Sequence, residues 1–360
     1  MEKPNQATTP PEEGFVNKPV TEKLRIRSID TLRGFALLGI LLLNIIAFSG
    51  PLATYYNPSA GNEVFGLNLA VAMFVDIWAE GAFRAIFSML FGAGLLIFFA
   101  KPDDKEEPLR TLYYRRTWLL VGFGLFNSYI LLWVGDILYA YGVTGLILYF
   151  FRNLSASRLA LCSTVLFLLL CGIHTASYFG TKSLYIDYRD AVSLPEGNEL
   201  SETQSQSVEN WNEYLQNQLA APEQIVFEMN TRSQGYLENF FFSAQINIIF
   251  QTVIFLFSAF WDAAAMMLLG MALMKWNVFD ASRELSFYLK MMIIGKNGTK
   301  ATLCGAVRTR MYDFLYSSHY SSDQKTVRSC YSVGDQSDPE IQQANRMLSR
   351  VVDRCLMLLE

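Results

Sequence analysis

The sequence predicts an all-α membrane protein, a polytopic helix bundle with about six crossings plus re-entrant or interfacial helices. Composition is the first observation behind this prediction: 52% of the 360 residues are hydrophobic and 17% are charged, whereas soluble domains carry about 25% charged residues. The second observation is the distribution of the charges. They lie in short clusters between long apolar runs, which is typical of a chain that crosses a bilayer several times.

Six apolar segments are long enough, or nearly long enough, to cross the hydrocarbon core, which requires about 20 helical residues. They are 32–48, 81–100, 118–134, 137–151, 159–179 and 240–275. The segment 69–78 is predicted to lie at, or dip into, the outer face of the membrane. Because 240–275 is too long for one upright helix, a re-entrant or surface helix is predicted within it.

Lysine and arginine residues are unevenly distributed between the segments that connect these helices. Four of them lie between 23 and 33 and five between 101 and 116, while the connection 51–66 has none. Positively charged residues remain on the cytoplasmic side of a membrane. The N-terminus and 101–116 are therefore predicted to be cytoplasmic, in a multi-pass protein of the bacterial inner (plasma) membrane.

The same patterns divide the chain into five parts. The polar, proline-containing segment 1–23 is predicted to be a disordered cytoplasmic tail. An N-terminal membrane bundle of five crossings (24–179) precedes a periplasmic loop (180–238), whose centre has apolar residues at helical spacing and fits a membrane surface. A C-terminal membrane segment (239–295), apparently truncated, is followed by a polar cytoplasmic tail (296–360). No part of that tail has an apolar run long enough to cross the bilayer.

Several functional classes are not indicated. The five cysteines form no CxxC pair and no His/Cys cluster, so neither a disulfide framework nor a metal site is predicted. No basic stripe with interleaved aromatic residues points to nucleic acid, and no phosphate-binding glycine loop follows a strand pattern. No permanently bound cofactor is expected. The lipid bilayer is the partner that the sequence indicates; the oligomeric state is not indicated.

Ionisable residues within apolar segments are the candidate functional residues, because a charge in the hydrocarbon core is costly and usually functional. Glu80 and Arg84 are four residues apart with the acid first, the favourable order on a helix. Arg84 is expected to pair with Glu80, with Asp136 in the turn between two crossings, or with Asp262. A substrate-binding polar pocket, with Asp136 a candidate catalytic group, and a purely structural ion pair both account for these residues.

Asp30 and Arg33 lie one helical turn apart at the start of the first apolar segment. They are candidates to bind a phosphate-bearing or carboxylate donor; an ordinary ion pair combined with a topology signal is the alternative. His174 lies near the outer end of 159–179 and is a candidate general base. A lone histidine near a helix end is also a common structural residue.

The apolar segments 87–101 and 265–275 resemble each other, since FSMLFGAGLLIFFAK and AMMLLGMALMK each contain a glycine between apolar runs and end on lysine. Internal repeats are common in membrane transport proteins. Two glycine-containing apolar helices with a basic final residue would, however, look alike without a common origin.

Three stretches resemble the YeiB-like bacterial membrane proteins, which carry a domain of unknown function in their C-terminal half. They are SIDTLRGFALLGILLLNI at 28–45, EGAFRAIFSMLFGAGL at 80–95 and WVGDILYAYGVTGLIL at 133–148. The YeiB-like family is thought to be distantly related to the transmembrane acyltransferases through a first helix that starts D-x-x-R-G, here Asp30, Arg33 and Gly34. The resemblance implies acyl transfer from a cytoplasmic acyl-coenzyme A, as substrate, to a periplasmic or lipid acceptor. A transporter or non-catalytic membrane factor is the alternative.

The resemblance ends near Gly295. YeiB-like proteins continue with further membrane helices and a tryptophan-rich closing motif, whereas this chain becomes polar from Lys296 onward. Such a change is typical of a replaced terminus or an altered reading frame. Weak or no activity is therefore expected of this chain.

Overall fold

The computed structural model describes residues 26–52, 71, 75, 81–100, 106–192, 201–218, 222–280, 282–291 and 293. Within these residues the regular structure is helical and contains no strand. The helices are Arg27–Ser49 (α1), Gly81–Phe99 (α2), Glu106–Tyr129 (α3), Ile137–Leu148 (α4), Ala156–Val192 (α5), Glu202–Gln218 (α6), Pro222–Arg232 (α7) and Tyr236–Lys275 (α8).

The chain divides into two compact units. The first contains all eight of these helices, and the second consists of Leu69–Ile77 and Glu284–Glu360. Within the second unit, residues 285–291 are helical. The predicted N-terminal tail, most of the predicted interfacial segment 69–78 and the tail from Lys296 lie outside the described residues.

Three of the described helices, α2, α5 and α8, are long and apolar enough to cross a membrane. They have 19, 37 and 40 residues respectively, and Ile137–Phe151 forms a shorter apolar helix. The predicted class, an all-helical membrane protein, is therefore supported. The number of six crossings stays a prediction.

Several helix ends meet at one end of the bundle, here called the Lys275 end. The Ser28 hydroxyl, at the start of α1, donates a hydrogen bond to the Phe279 carbonyl, just after α8. Lys275 Nζ donates to the carbonyl oxygens of Arg152 and Leu154, between α4 and α5, at 2.7 and 2.6 Å. Helices α1 and α5 therefore begin where α4 and α8 end, in agreement with the alternating directions that the charge pattern predicts.

Helix α5 is much longer than the predicted crossing 159–179. Its 37 residues extend about 55 Å, against a hydrocarbon core of about 30 Å. Helix α6 packs back on the extension through Trp211, which is buried and lies 5.4 Å from the Tyr185 ring and 5.8 Å from the Tyr188 ring. Residues 180–192, in the predicted periplasmic segment, are therefore helical, and α6 covers their aromatic face; their periplasmic location stays a prediction.

Helix α8 contains the predicted crossing 240–275 as one continuous helix of 40 residues. Ten residues within it, Phe250–Ala259, form π-helical turns, which widen the helix locally and often occur at functional sites. The prediction of a re-entrant or surface helix within this segment is wrong. The additional residues lengthen the one helix and do not form a separate helix.

A buried carboxylate ties α7 to the end of α1, a contact that sequence reasoning missed. Glu228 is 7% exposed, and its Oε1 accepts a hydrogen bond from the Leu52 backbone N–H at 2.8 Å. The same oxygen pairs with Arg232 at 2.6 Å. The i,i+4 spacing of Glu228 and Arg232 was visible in the sequence, but nothing there identified Leu52 as the third member.

Candidate functional site

Helices α2 and α8 cross in close contact at two glycines. A Cβ atom on Gly92 would lie 2.0 Å from the Met267 carbonyl oxygen, and one on Gly270 would lie 1.9 Å from the Met89 carbonyl oxygen. Both distances are far below van der Waals contact, so glycine is required at both positions for the backbones to approach this closely. The crossing is the centre of the bundle.

The contacts at this crossing are reciprocal. Two Met-Leu-x-Gly segments face each other, Met89–Gly92 on α2 and Met267–Gly270 on α8. The glycine of each segment lies against the methionine of the other segment. The second segment lies 178 positions after the first. Arg84 and Asp262, each five residues before its segment, also pair with each other, so α2 and α8 run in the same direction.

An ion pair joins the same two helices. Arg84 Nη2 lies 3.6 Å from Asp262 Oδ2, and the two side chains are 52% and 33% exposed. These residues are also 178 positions apart, so each precedes its Met-Leu-x-Gly segment by five residues. As the sequence predicted, Arg84 pairs with one of the candidate carboxylates; Glu80 lies outside the described residues.

The ion pair lies well inside the predicted membrane. Asp262 precedes Lys275 by thirteen residues, which is about 20 Å along a helix and about two-thirds of the hydrocarbon thickness. A partly exposed charge at this depth cannot face lipid chains cheaply, and such groups usually line a cavity or the bundle interior. Arg84 and Asp262 therefore define a candidate polar pocket.

Two buried hydroxyl groups support the Arg84 side of the pocket. The Ser88 hydroxyl donates to the Arg84 carbonyl oxygen at 2.9 Å. The Tyr141 hydroxyl donates to the Ser88 oxygen and lies 3.5 Å from the same carbonyl oxygen. Tyr141 brings α4 to the pocket, and sequence reasoning missed it because a tyrosine in an apolar helix resembles ordinary core.

Asp136 lies elsewhere and has a structural role in the described contacts. It is the N-cap of α4: its Oδ2 accepts from the Tyr139 backbone N–H at 2.9 Å, and its Oδ1 accepts from Asn127 Nδ2 at 2.7 Å. Burial raises the pKa of Asp136, and these hydrogen bonds oppose the rise. Arg84 pairs with Asp262 instead, so the hypothesis that Asp136 pairs with Arg84 is wrong.

A second polar cluster joins α3 to α8. Gln251, in the π-helical turns, donates to the Ser128 hydroxyl at 3.0 Å and accepts from the Tyr129 hydroxyl at 3.1 Å. Asn247 donates to the Ser128 carbonyl oxygen at 2.8 Å. In these hydrogen bonds the polar groups of α3 and α8 bind each other. The cluster therefore stabilises the packing of the two helices.

At the Lys275 end, Asp30 and Arg33 form the expected i,i+3 pair on α1. Arg33 Nη1 lies 3.8 Å from Asp30 Oδ1, and both side chains are almost half exposed. A Cβ on Gly94 of α2 would lie 2.9 Å from Arg33 Nη2, so the guanidinium rests on a helix surface without a side chain. Arg33 makes no hydrogen bond to another residue in the described part of the chain.

His174 is exposed on α5 and is not brought to the polar pocket. The Ser163 hydroxyl donates to the Ala265 carbonyl oxygen at 2.8 Å, which fixes the register between α5 and α8. His174 lies eleven residues beyond Ser163, about 16 Å along the helix and away from the Lys275 end. The structure therefore separates this candidate base from Arg84 and Asp262.

Together, the spanning-length helices, the glycine crossing and the intrahelical charges define a polytopic α-helical membrane protein. Similarity to known proteins agrees with this class. The chain is 32% identical over 166 residues to the uncharacterized protein YxaH of Bacillus subtilis (strain 168), covering 42% of this chain and 39% of YxaH. It is 36% identical over 146 residues to the uncharacterized protein YeiB of Escherichia coli (strain K12), covering 41% of this chain and 36% of YeiB.

A third relative, an uncharacterized 39.9 kDa protein of Bacillus acidopullulyticus, is 32% identical over 161 residues, covering 45% of this chain and 43% of that protein. The predicted resemblance to the YeiB-like proteins is thus confirmed over about 40% of the chain. The matched region spans less than half the length of these relatives. No protein-family profile and no solved structure matches the chain.

Proposed function

We propose that this protein acts in acyl transfer across a bacterial inner membrane, from a cytoplasmic acyl-coenzyme A to a periplasmic or lipid acceptor. The observation that carries the proposal is the arrangement of two charged sites along α2. Arg33 rests on Gly94, and Arg84 pairs with Asp262 ten residues earlier on the same helix. The two sites are therefore about 15 Å apart along the bundle.

The Lys275 end is proposed to face the cytoplasm. Arg33, Arg152, Arg158 and Lys275 lie near helix ends or in a connection there, and positively charged residues remain cytoplasmic. An activated thioester donor is made in the cytoplasm, so its phosphate groups would meet this end first. Arg33, whose guanidinium makes no hydrogen bond to a described residue, would bind phosphate through charge-assisted hydrogen bonds.

The acceptor is proposed to enter the Arg84–Asp262 pocket from the opposite face. In the transfer, the acceptor hydroxyl oxygen forms a bond to the thioester carbonyl carbon, and the carbon–sulfur bond breaks. The hydroxyl proton passes to a base, for which the Asp262 carboxylate is the nearest candidate, and then to the leaving thiolate. The separation of about 15 Å matches a donor whose acyl group hangs on a long arm away from its phosphates.

The test is binding of acyl-coenzyme A to the full chain purified in detergent. Arg33→Lys is expected to weaken binding about tenfold, because lysine lacks the planar fork that binds phosphate through two bonds. Arg27→Lys, on the same helix, is the matched control and is expected to bind like the wild type. Absence of binding by the wild type, or equal binding by Arg33→Lys, would contradict the proposed donor site.

Transport is the second candidate function, and one observation favours it. Parallel repeats related by an axis along the membrane normal are a common plan of transporters, whose binding sites lie at the interface of the repeats. The Arg84–Asp262 pair joins the two helices that carry the similar segments. A wild-type chain that binds no acyl-coenzyme A, while substitution of Arg84 abolishes a measured solute flux, would favour transport.

A further inference from the structure

A groove on the side of the bundle is separate from the polar pocket. It has a volume of about 540 Å³ and is formed by α4, α5 and α8, a volume within the range of ligand-binding cavities. Apolar side chains and one threonine line it, among them Thr144, Ile147, Phe151, Leu161, Cys162 and Val165. Such a lining favours hydrocarbon as the occupant.

The groove opens on the outer surface of the bundle. Leu161, Val165 and Ile147, all in its wall, are 63%, 52% and 43% exposed. Two of the three helices that form it, α5 and α8, are long and apolar enough to cross a membrane. Lipid chains are therefore the hydrocarbon that surrounds the opening.

A basic residue, Arg158, lies near the end of the groove that Phe151 lines. The Arg152 guanidinium packs instead over the Tyr149 and Phe99 rings, at 3.8 and 5.5 Å from their centroids. Arg158 is exposed and precedes Leu161 and Cys162 by one helical turn, so it lies on the same face of α5. A cationic end next to an apolar groove is complementary to a lipid with an anionic headgroup.

Thr144 is the one polar residue of the lining. It is fully buried, and its hydroxyl has no hydrogen-bond partner within the described residues. It lies seven residues from Phe151, about 10 Å along the helix. A phosphate at the basic end would therefore lie far from this hydroxyl, and the part of the occupant beside Thr144 would be hydrocarbon.

We propose that this groove binds one acyl chain of an anionic phospholipid, with the lipid phosphate at Arg158. The site does not depend on acyl transfer, since it uses neither Arg33 nor the Arg84–Asp262 pocket. The lipid would come from the leaflet at the Lys275 end. There it would fill a surface groove that the described helices leave open.

The proposal is tested with photoactivatable phosphatidylglycerol that carries a diazirine in its acyl chain. The full chain is purified, placed in phosphatidylcholine nanodiscs and irradiated, and labelled peptides are identified by mass spectrometry. Labelling is expected in 161–166 and 260–268. Unlabelled phosphatidylglycerol is expected to compete with the labelling of these peptides. Its effect at a given concentration should be at least fivefold larger than that of added phosphatidylcholine.

Matched variants separate the groove from the general lipid surface. Val165→Phe fills the groove and is expected to reduce labelling about fivefold, while Leu168→Phe, at an exposed position of α5 outside the lining, is expected to leave it unchanged. Arg158→Gln is expected to remove the preference for the anionic lipid. Thr144→Val should label like the wild type, because the proposed occupant offers that hydroxyl no partner.

Three outcomes would overturn the proposal. Labelling spread evenly over exposed helix faces would mean that the groove is ordinary lipid surface. Equal competition by phosphatidylcholine would exclude recognition of the anionic headgroup. Stronger competition by long-chain acyl-coenzyme A than by phosphatidylglycerol would assign the groove to the acyl donor. None of these outcomes depends on Arg33→Lys, which tests the proposed function separately.

Discussion

Replacing Gly92 with alanine is expected to destabilise the protein by about 3 kcal/mol, the upper part of the usual range for overpacked sites. The added carbon would lie 2.0 Å from the Met267 carbonyl oxygen. A backbone oxygen cannot move away like a flexible side chain, so α2 and α8 must separate. Gly270→Ala is expected to have a similar effect, because its Cβ would lie 1.9 Å from the Met89 carbonyl oxygen.

The measurement is the temperature at which half of the detergent-solubilised protein no longer elutes as a monodisperse peak. Gly172→Ala is the control, since no neighbouring side chain or helix lies within 4 Å of its added carbon. Because alanine favours a helix over glycine, this change is expected to stabilise α5 by about 1 kcal/mol. The double variant of Gly92 and Gly270 should cost less than the sum of the single changes, because one separation of the helices relieves both clashes. Single variants as stable as Gly172→Ala would contradict the crossing.

Removal of one charge from the Arg84–Asp262 pair is expected to reduce the amount of folded protein severalfold. Asp262→Asn leaves a guanidinium without its carboxylate about 20 Å from the Lys275 end, where an isolated charge costs about 2.5 to 3.5 kcal/mol on insertion scales. The exchange Arg84→Asp with Asp262→Arg restores opposite charges at the same two places. It is expected to recover most of the folded protein.

A surface pair provides the control for this experiment. Arg110 and Glu107 lie closer together, at 2.8 Å, but their side chains are 51% and 83% exposed on the polar beginning of α3. Glu107→Gln is expected to change stability by less than about 1 kcal/mol, as is usual for exposed pairs. If Asp262→Asn were equally mild, or if the exchanged pair were no better than the single variant, the ion pair would not be the important contact.

The sequence was sufficient for the helical membrane class, because long apolar runs and sparse charges have few other structural solutions. The sequence also identified Arg84 as a residue that needs a partner. A charge within an apolar membrane helix is costly however the helices pack. The sequence did not distinguish Asp262 from Asp136. Asp136 caps α4 and accepts hydrogen bonds from Asn127 and the Tyr139 backbone, whereas the packing of α2 on α8 brings Asp262 to Arg84.

Tertiary packing explains the features that sequence reasoning missed. The segment after Phe179 is polar enough to resemble a loop, yet Tyr185 and Tyr188 face Trp211 of α6 and remain helical. Similarly, the Met-Leu-x-Gly segments showed only a likeness between two apolar runs. The reciprocal contacts of Gly92 and Gly270 depend on how the two helices cross, which periodicity does not report.

The proposal that the Lys275 end of the bundle faces the cytoplasm is tested most directly by labelling single cysteines in whole cells with an impermeant thiol reagent. The background is a chain in which all five cysteines are replaced. Ser205 on α6 and Ser155 before α5 are both exposed and would lie on opposite sides of the membrane. We expect Ser205→Cys, and Ser59→Cys in the connection 51–66, to react in intact cells, and Ser155→Cys to react only after permeabilisation. Labelling of Ser155→Cys in intact cells, with protection of Ser205→Cys and Ser59→Cys, would invert the bundle and contradict a cytoplasmic donor at Arg33.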